Sequence, residues 1–205
     1  MFRCVGGGWR RLLKLFPDGF TIDSIAAMRK LTHIELQARQ NTIQTSGEKV
    51  PLIVVLNNIR SLYNVGSIFR TADGIGVQTI FLCGITPIPP DNQITKTALG
   101  AEKSVPWKFF ERAIDAVKQA KSEGYQVVLL EQTQNSVSYE KYIPPQPICL
   151  VLGNENAGVS DELLALADAS VEIEMAGLKN SLNVSVAFGV VGYHIRNAYL
   201  VHRNE

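Results

Sequence analysis

The chain has 205 residues, 46% hydrophobic and 19% charged, with a formal net charge of +1. That composition excludes a disordered or fibrous protein and describes a globular one long enough to bury a full core, most simply as one domain. The charge is unevenly placed, because residues 1–49 carry eight Lys/Arg against four Asp/Glu while residues 50–205 carry twelve against fifteen.

Residues 1–49 therefore read as a basic N-terminal extension, either a solvated tail or an electrostatic arm for nucleic acid. Residues 1–27 are expected to be a flexible segment or an upstream start, and Met28 opens a more regular stretch, MRKLTHIELQAR. No apolar run approaches the roughly 20 residues of a membrane span, and no hydrophobic leader with a small-residue cleavage site is evident. Cys4, Cys83 and Cys149 show no CxxC spacing, and the last two lie in apolar runs. They read as reduced thiols, so a cytoplasmic protein is expected.

From residue 50 the chain alternates apolar runs with helix-like segments. Strands are expected at LIVVL (52–56), TIFLC (79–83), QVVLLE (126–131), ICLVL (148–152) and VEIEM (171–175). Helices are expected over 65–73, with Asn64 as cap and Gly74 and Gly76 as stops, over 112–121, over 161–167 with Ser160 as cap, and from Val184 to about Tyr199. Residues 84–108, with four prolines and no clear period, read as a long functional loop. Continuous apolar strands alternating with helices call for an α/β fold with a mostly parallel sheet covered on both faces.

The usual nucleotide fingerprints fail. Gly74-Ile75-Gly76 precedes a strand instead of following one, which is the wrong place for a dinucleotide loop. Gly153 to Ser160 has phosphate-loop spacing, but Val159 stands where the lysine must be. His33, His194 and His202 are isolated, so no metal is expected, and no GxSxG elbow occurs.

Three polar, glycine-bearing loops remain: residues 57–77, 152–160 and 173–187. In a parallel sheet ligands gather at the carboxyl ends of the strands, so one shared site explains the three loops better than three accidents of packing. The triplet Ser181, Asn183 and Ser185, opening an apolar segment, suits both a helix cap and a site for an anionic or carbonyl group.

In this order and spacing the segments resemble the three motifs of the SpoU (TrmH-like) ribose 2′-O-methyltransferases of the SPOUT superfamily. The likeness lies in Asn64, Gly66, Arg70, Thr71 and Ala72; in Gly153, Asn154, Glu155 and Gly158; and in Met175, Gly177 and Ser181 to Ser185. Gly74-Ile75-Gly76 departs from the family's more familiar Ala-Phe-Gly. The resemblance implies a SpoU-type methyltransferase domain over 50–205, a C-terminal trefoil knot and a homodimer with sites near its interface. It further implies S-adenosyl-L-methionine as cofactor and a ribose hydroxyl of tRNA or rRNA as substrate. The cofactor pocket would be formed around Leu152, Gly153, Ile173, Met175, Ser181 and Leu182, glycines allowing close approach. The resemblance gives Arg70 the activation of the 2′-hydroxyl, either by binding phosphate and stabilising the developing alkoxide or, with a depressed pKa, as a literal base, with Asn64, Glu155, Ser181 and Asn183 orienting the reacting groups. Too few residues precede Pro51 for a separate RNA-binding domain, which leaves the substrate RNA open. A base-modifying relative, or a silent RNA-binding protein of the same fold, would share much of this pattern.

Overall fold

The computed structural model describes residues 29–45 and 49–203. The expectations for residues 1–27 and for Cys4 lie outside that range. Contacts divide the chain into two units, 1–47 and 48–205.

In the first unit, helix α1 spans His33–Thr45. A capping box starts it: the Thr32 N–H donates to Glu35 Oε2 at 2.8 Å, and Thr32 Oγ1 accepts from the Glu35 N–H. Arg29 grips the same carboxylate, and with Thr32 it holds the Glu35 carboxyl at about 2.

The second unit is a seven-stranded parallel sheet. In chain order its elements are β1 (Val50–Asn57), α2 (Leu62–Ile75), β2 (Val77–Cys83), α3 (Asn92–Ala98), α4 (Ala101–Ser104), β3 (Trp107–Phe110), α5 (Ala113–Ser122), β4 (Gln126–Leu130), β5 (Val137–Ser138), β6 (Ile148–Leu152), α6 (Asp161–Leu164), β7 (Ala169–Glu172) and α7 (Val184–Arg203). The strands lie in the order β3-β2-β1-β6-β4-β7-β5, all neighbours parallel.

Why the central strands are apolar throughout is visible in β1. Leu52, Val54 and Leu56 face one core cluster, with Ile68 and Phe69 of α2 and Phe188 of α7, whereas Ile53 and Val55 face a second, with Ala116 and Val117 of α5. Successive side chains point to opposite faces, so a strand covered on both sides alternates between two cores and never meets water. Cys83 and Cys149 belong to the second cluster, and burial pushes both thiols up to about 12.

Several boundaries differ from the sequence expectation. Ser61, not Asn64, caps α2, because the Asn64 N–H reaches Ser61 Oγ at 3.3 Å while the Asn64 side chain is engaged elsewhere. Gly76 ends α2 at φ 78°, and Gly74 lies inside it. Residues 84–108 are not a bare loop but hold α3, α4 and the start of β3. These elements are too short to show a period, and the Asp91 cap of α3, which accepts from the Gln93 N–H at 2.7 Å, follows directly on Pro90. Ordered strand ends at Glu172, so Ile173 to Met175 are not strand; β7 has partners in β4 and β5 over 169–172 alone. Helix α6 stops at Leu164, short of Ala167.

Gly66 is explained by packing. A Cβ there would collide with Thr97 Oγ1 and the Ile94 carbonyl of α3, so glycine lets α2 and α3 touch backbone to side chain. Gly66→Ala is expected to lower stability by about 1–3 kcal/mol, read as a fall in denaturation midpoint.

Candidate functional site

The carboxyl ends of β4, β6 and β7 and the first turn of α7 enclose a cavity of about 390 Å3. Its apolar wall includes Leu130, Leu152, Ile173, Leu182 and Ala187, and its polar groups come from Glu131, Gln132, residues 153–156 and residues 180–183. A site of this size and mixture is suited to a small molecule with an apolar body and a few fixed polar contacts.

The 153–159 loop is a tight hairpin. Asn154 and Gly158 exchange backbone hydrogen bonds at 3.0 and 2.9 Å, Asn154 Oδ1 accepts from the N–H groups of Asn156 and Ala157, and Gly158 sits at φ 68°. Two outside groups hold it. Asn154 Nδ2 donates to the Asn58 carbonyl at 2.6 Å, and the Val159 N–H donates to Glu131 Oε2 at 3.1 Å. A Cβ on Gly153 would meet the Gly158 carbonyl carbon at 2.5 Å and the Val159 nitrogen at 2.7 Å. The requirement for glycine at 153 thus comes from this hairpin, and the close approach expected from a ligand is met first by the protein's own backbone.

Glu155, at the tip, ties this loop to the start of α2. Its carboxylate accepts from the Arg60 N–H at 3.0 Å, the Ser61 N–H at 3.2 Å and Asn64 Nδ2 at 3.1 Å. Partial burial pushes this carboxyl up, yet these three donors and the residue's own backbone N–H outweigh it and hold it below the ordinary glutamate range. Asn64 Oδ1 in turn accepts from Asn183 Nδ2 at 3.0 Å, and Asn183 Oδ1 caps α7 by accepting from the Ser185 N–H at 2.9 Å. The polar triplet before α7 is therefore cap and site at once. A single chain of hydrogen bonds, Asn183 to Asn64 to Glu155, joins all three loops.

Of the expected residues, Leu152, Gly153, Glu155, Ile173, Ser181, Leu182 and Asn183 line the cavity. Asn64 reaches its mouth through Glu155 and Asn183. Met175 lines an adjoining cleft with Glu172, Ile173 and Gly177. Arg70 stands apart, exposed on the solvent stripe of α2, six residues and about 9 Å of helix rise beyond Asn64. Among the described residues it makes no hydrogen bond or ion pair, with a carboxylate or with any other group. The sequence reading missed Glu131, Gln132 and Asn180. Gln132 Nε2 donates to the Asn180 carbonyl at 2.6 Å, latching the 173–183 segment to β4. The available signal for Glu131 and Gln132 was their place at the carboxyl end of β4.

Among the described residues no cluster of His, Cys, Asp and Glu could hold a metal ion, and no helix is long and apolar enough to cross a membrane.

A parallel sheet covered on both faces, with a ligand-sized cavity lined by two of the polar loops and the third hydrogen-bonded to them, defines an α/β domain with a candidate small-molecule site. The chain belongs to the SpoU rRNA Methylase family, whose pattern it matches over residues 51–193. It is 32% identical over 142 residues to a tRNA (guanosine(18)-2′-O)-methyltransferase of Escherichia coli (strain K12), covering 69% of this chain and 61% of that relative. The AdoMet-bound rRNA methyltransferase of Sinorhizobium meliloti superposes with a TM-score of 0.68 at 30% identity, over 73% of this chain and 57% of that one. The TrmH/SpoU tRNA modifying enzyme of A. aeolicus gives a TM-score of 0.71 at 28% identity, over 82% and 85%.

Proposed function

We propose that the chain transfers a methyl group from S-adenosyl-L-methionine to a ribose 2′-hydroxyl of tRNA or rRNA. The observation that carries this reading is the Asn183–Asn64–Glu155 chain of hydrogen bonds, which ties the first family motif to the two that line the cavity. The residues present fit the cofactor: the apolar wall suits a purine, the polar residues at 153–156 and 180–183 suit its polar groups, and the carboxylates of the lining suit a cationic ligand. When bound, S-adenosylmethionine supplies an electrophilic methyl on a positively charged sulfur.

The protein's share is positioning and charge. Asn64 and Asn183 hold each other in one orientation and set the start of α7, so polar atoms at the cavity mouth are fixed before substrate arrives. Arg70, with its guanidinium unengaged, is free to bind a phosphate of the RNA and to offset negative charge growing on the attacking oxygen. Mass spectrometry of RNA nucleosides after incubation with the protein and labelled cofactor tests the assignment. A 2′-O-methylnucleoside is expected; a methylated base would favour a base-modifying relative, and no product a silent binding protein.

Ala187 provides a cleaner test of the pocket than Gly153, since it lines the cavity from a regular helix and the 153 position serves its own loop. Ala187→Leu is expected to weaken cofactor binding at least about tenfold by calorimetry, with an unchanged melting temperature.

The proposal extends to domain organisation and assembly. Residues 50–205 form the methyltransferase domain behind a basic extension, with the trefoil knot that likeness implies and a cytoplasmic location consistent with buried, unpaired thiols. Homodimerisation would use α7. Its inner face, Phe188, Val191, Gly192 and Ile195, is spent on its own core, where Gly192 admits Ile75 of α2. Its outer face leaves Val186, Tyr193 and Val201 exposed at helical spacing, apolar surface that suits a second copy. Light scattering at micromolar concentration should give twice the chain mass, and Tyr193→Glu should halve it.

A further inference from the structure

The cavity is one-sided in charge. Three carboxylates line it, those of Glu131, Glu155 and Glu172, with no lysine, arginine or histidine among the lining residues. Glu155 has three donors of its own, as described above. The other two are differently placed. Glu131, directly after β4, accepts from the Gln132 N–H at 3.0 Å on Oε1 and from the Val159 N–H at 3.1 Å on Oε2. Amide donors fix the carboxylate in place, but they bring no compensating positive charge, and each oxygen keeps a second lone pair. Glu172 ends β7, and among the described residues its side chain has no hydrogen bond or ion pair.

A rigidly held, unneutralised carboxylate in a partly enclosed space senses the charge of whatever enters. We propose that Glu131, seconded by Glu172, makes the cavity select the cationic cofactor over its uncharged-sulfur product. The inference rests on the cofactor assignment above. In the transfer an oxygen lone pair forms the O–CH3 bond, the S–CH3 bond breaks with its electron pair left on sulfur, and the hydroxyl proton passes to a base or to water. S-adenosylmethionine thus enters with one more positive charge than S-adenosylhomocysteine has on leaving. The two ligands share the adenosine and the amino-acid moiety, so the fit of the pocket to either cancels in the ratio of their affinities and the charge on sulfur remains. Attraction at entry and its loss after transfer favour exchange of product for fresh cofactor, which gives Glu131 a part in turnover as well as in holding the 153–159 hairpin.

Calorimetry with both ligands on the parent protein, Glu131→Gln and Glu172→Gln separates the charge effect from a structural one. The parent should prefer S-adenosylmethionine, and the preference should narrow between about 50 and 500 mM salt. Glu131→Gln should weaken S-adenosylmethionine by about three- to tenfold, the size of one partly screened charge interaction, and S-adenosylhomocysteine by less than about twofold. Glu172→Gln breaks no hydrogen bond and should shift the ratio the same way by less; it decides the question should Glu131→Gln fail to fold. Equal weakening of both ligands, or a ratio that neither variant moves, overturns the inference and leaves Glu131 as a loop anchor alone. A parent protein that binds neither ligand overturns the cofactor assignment itself, whereas one that binds both with an unmoved ratio overturns this inference and spares that assignment.

Discussion

Arg70→Ala is expected to cut methyl transfer by about a hundredfold or more while leaving the melting temperature and the affinity for S-adenosylmethionine nearly unchanged. Both halves follow from its position. The side chain is exposed and makes no hydrogen bond or ion pair among the described residues, so truncation removes no structural contact and stability should move by less than about 0.5 kcal/mol. It is also absent from the cavity wall, so cofactor binding has no reason to change. What it does have is five unengaged donors on the helix that carries Asn64, the requirement for gripping a phosphate and a developing alkoxide. Arg70→Lys should restore part of the rate, because an ammonium keeps the charge and loses the planar fork. Parental turnover by Arg70→Ala would remove Arg70 from the mechanism. Loss of folding or of cofactor binding would return it to a structural role.

The architecture was legible wherever burial is extreme. Strands β1, β2, β4 and β6 are near-continuous apolar runs since each faces two cores, and that pattern leaves few alternatives. Legibility fails where tertiary partners, not local pattern, set an element's extent. β7 ends at Glu172 because its neighbours do, although Ile173, Glu174 and Met175 continue the alternation. β3 and α4 have four residues each, below the length at which any period shows. At α2 the expected cap was displaced by three residues because Asn64, a good capping residue by chemistry, has a better use: its side chain bridges Glu155 and Asn183 across 91 and 119 positions of sequence.

The site was legible as a set of loops, and its residues as a motif, but their wiring was not. Asn64, Glu155 and Asn183 could each be singled out from the sequence, while nothing in the sequence says that they touch in that order. Glu131 and Gln132 stayed hidden for the opposite reason. They follow an apolar strand in a segment without glycine or motif, and their roles appear only when Val159 and Asn180 are brought against them. Gly153 illustrates a third kind of gap, in which a packing demand inside the loop is invisible in the sequence. Its missing side chain makes room for the backbone at Gly158, so a bulky substitution there would disrupt the hairpin before it blocked a ligand.

The second large effect is expected at Glu155, where structure and chemistry converge on one carboxylate. Glu155→Ala strands three donors at once, the Arg60 and Ser61 N–H groups and Asn64 Nδ2. Because the group is largely exposed and water can replace part of what is lost, the stability cost should be modest, about 1–2 kcal/mol. The cost to methyl transfer should be greater, about a hundredfold, since Asn64 and through it Asn183 lose the partner that orients them. A double-mutant cycle checks the connection: with Asn64→Ala already present, Glu155→Ala should cost clearly less activity than it does alone. The pH dependence has a definite sign. The folded-state carboxyl is held below its unfolded value, so its contribution to stability is fully present above the ordinary glutamate range and is lost as pH falls through the lower folded value. Chemical denaturation of the parent and of Glu155→Gln from pH 7 into acid should therefore show a stability gap that is constant near neutrality and closes in acid below the ordinary glutamate range. A gap that persisted unchanged through that range would mean that the charge on Glu155 does not hold α2 to the 153–159 loop, and the rate loss would then need another cause.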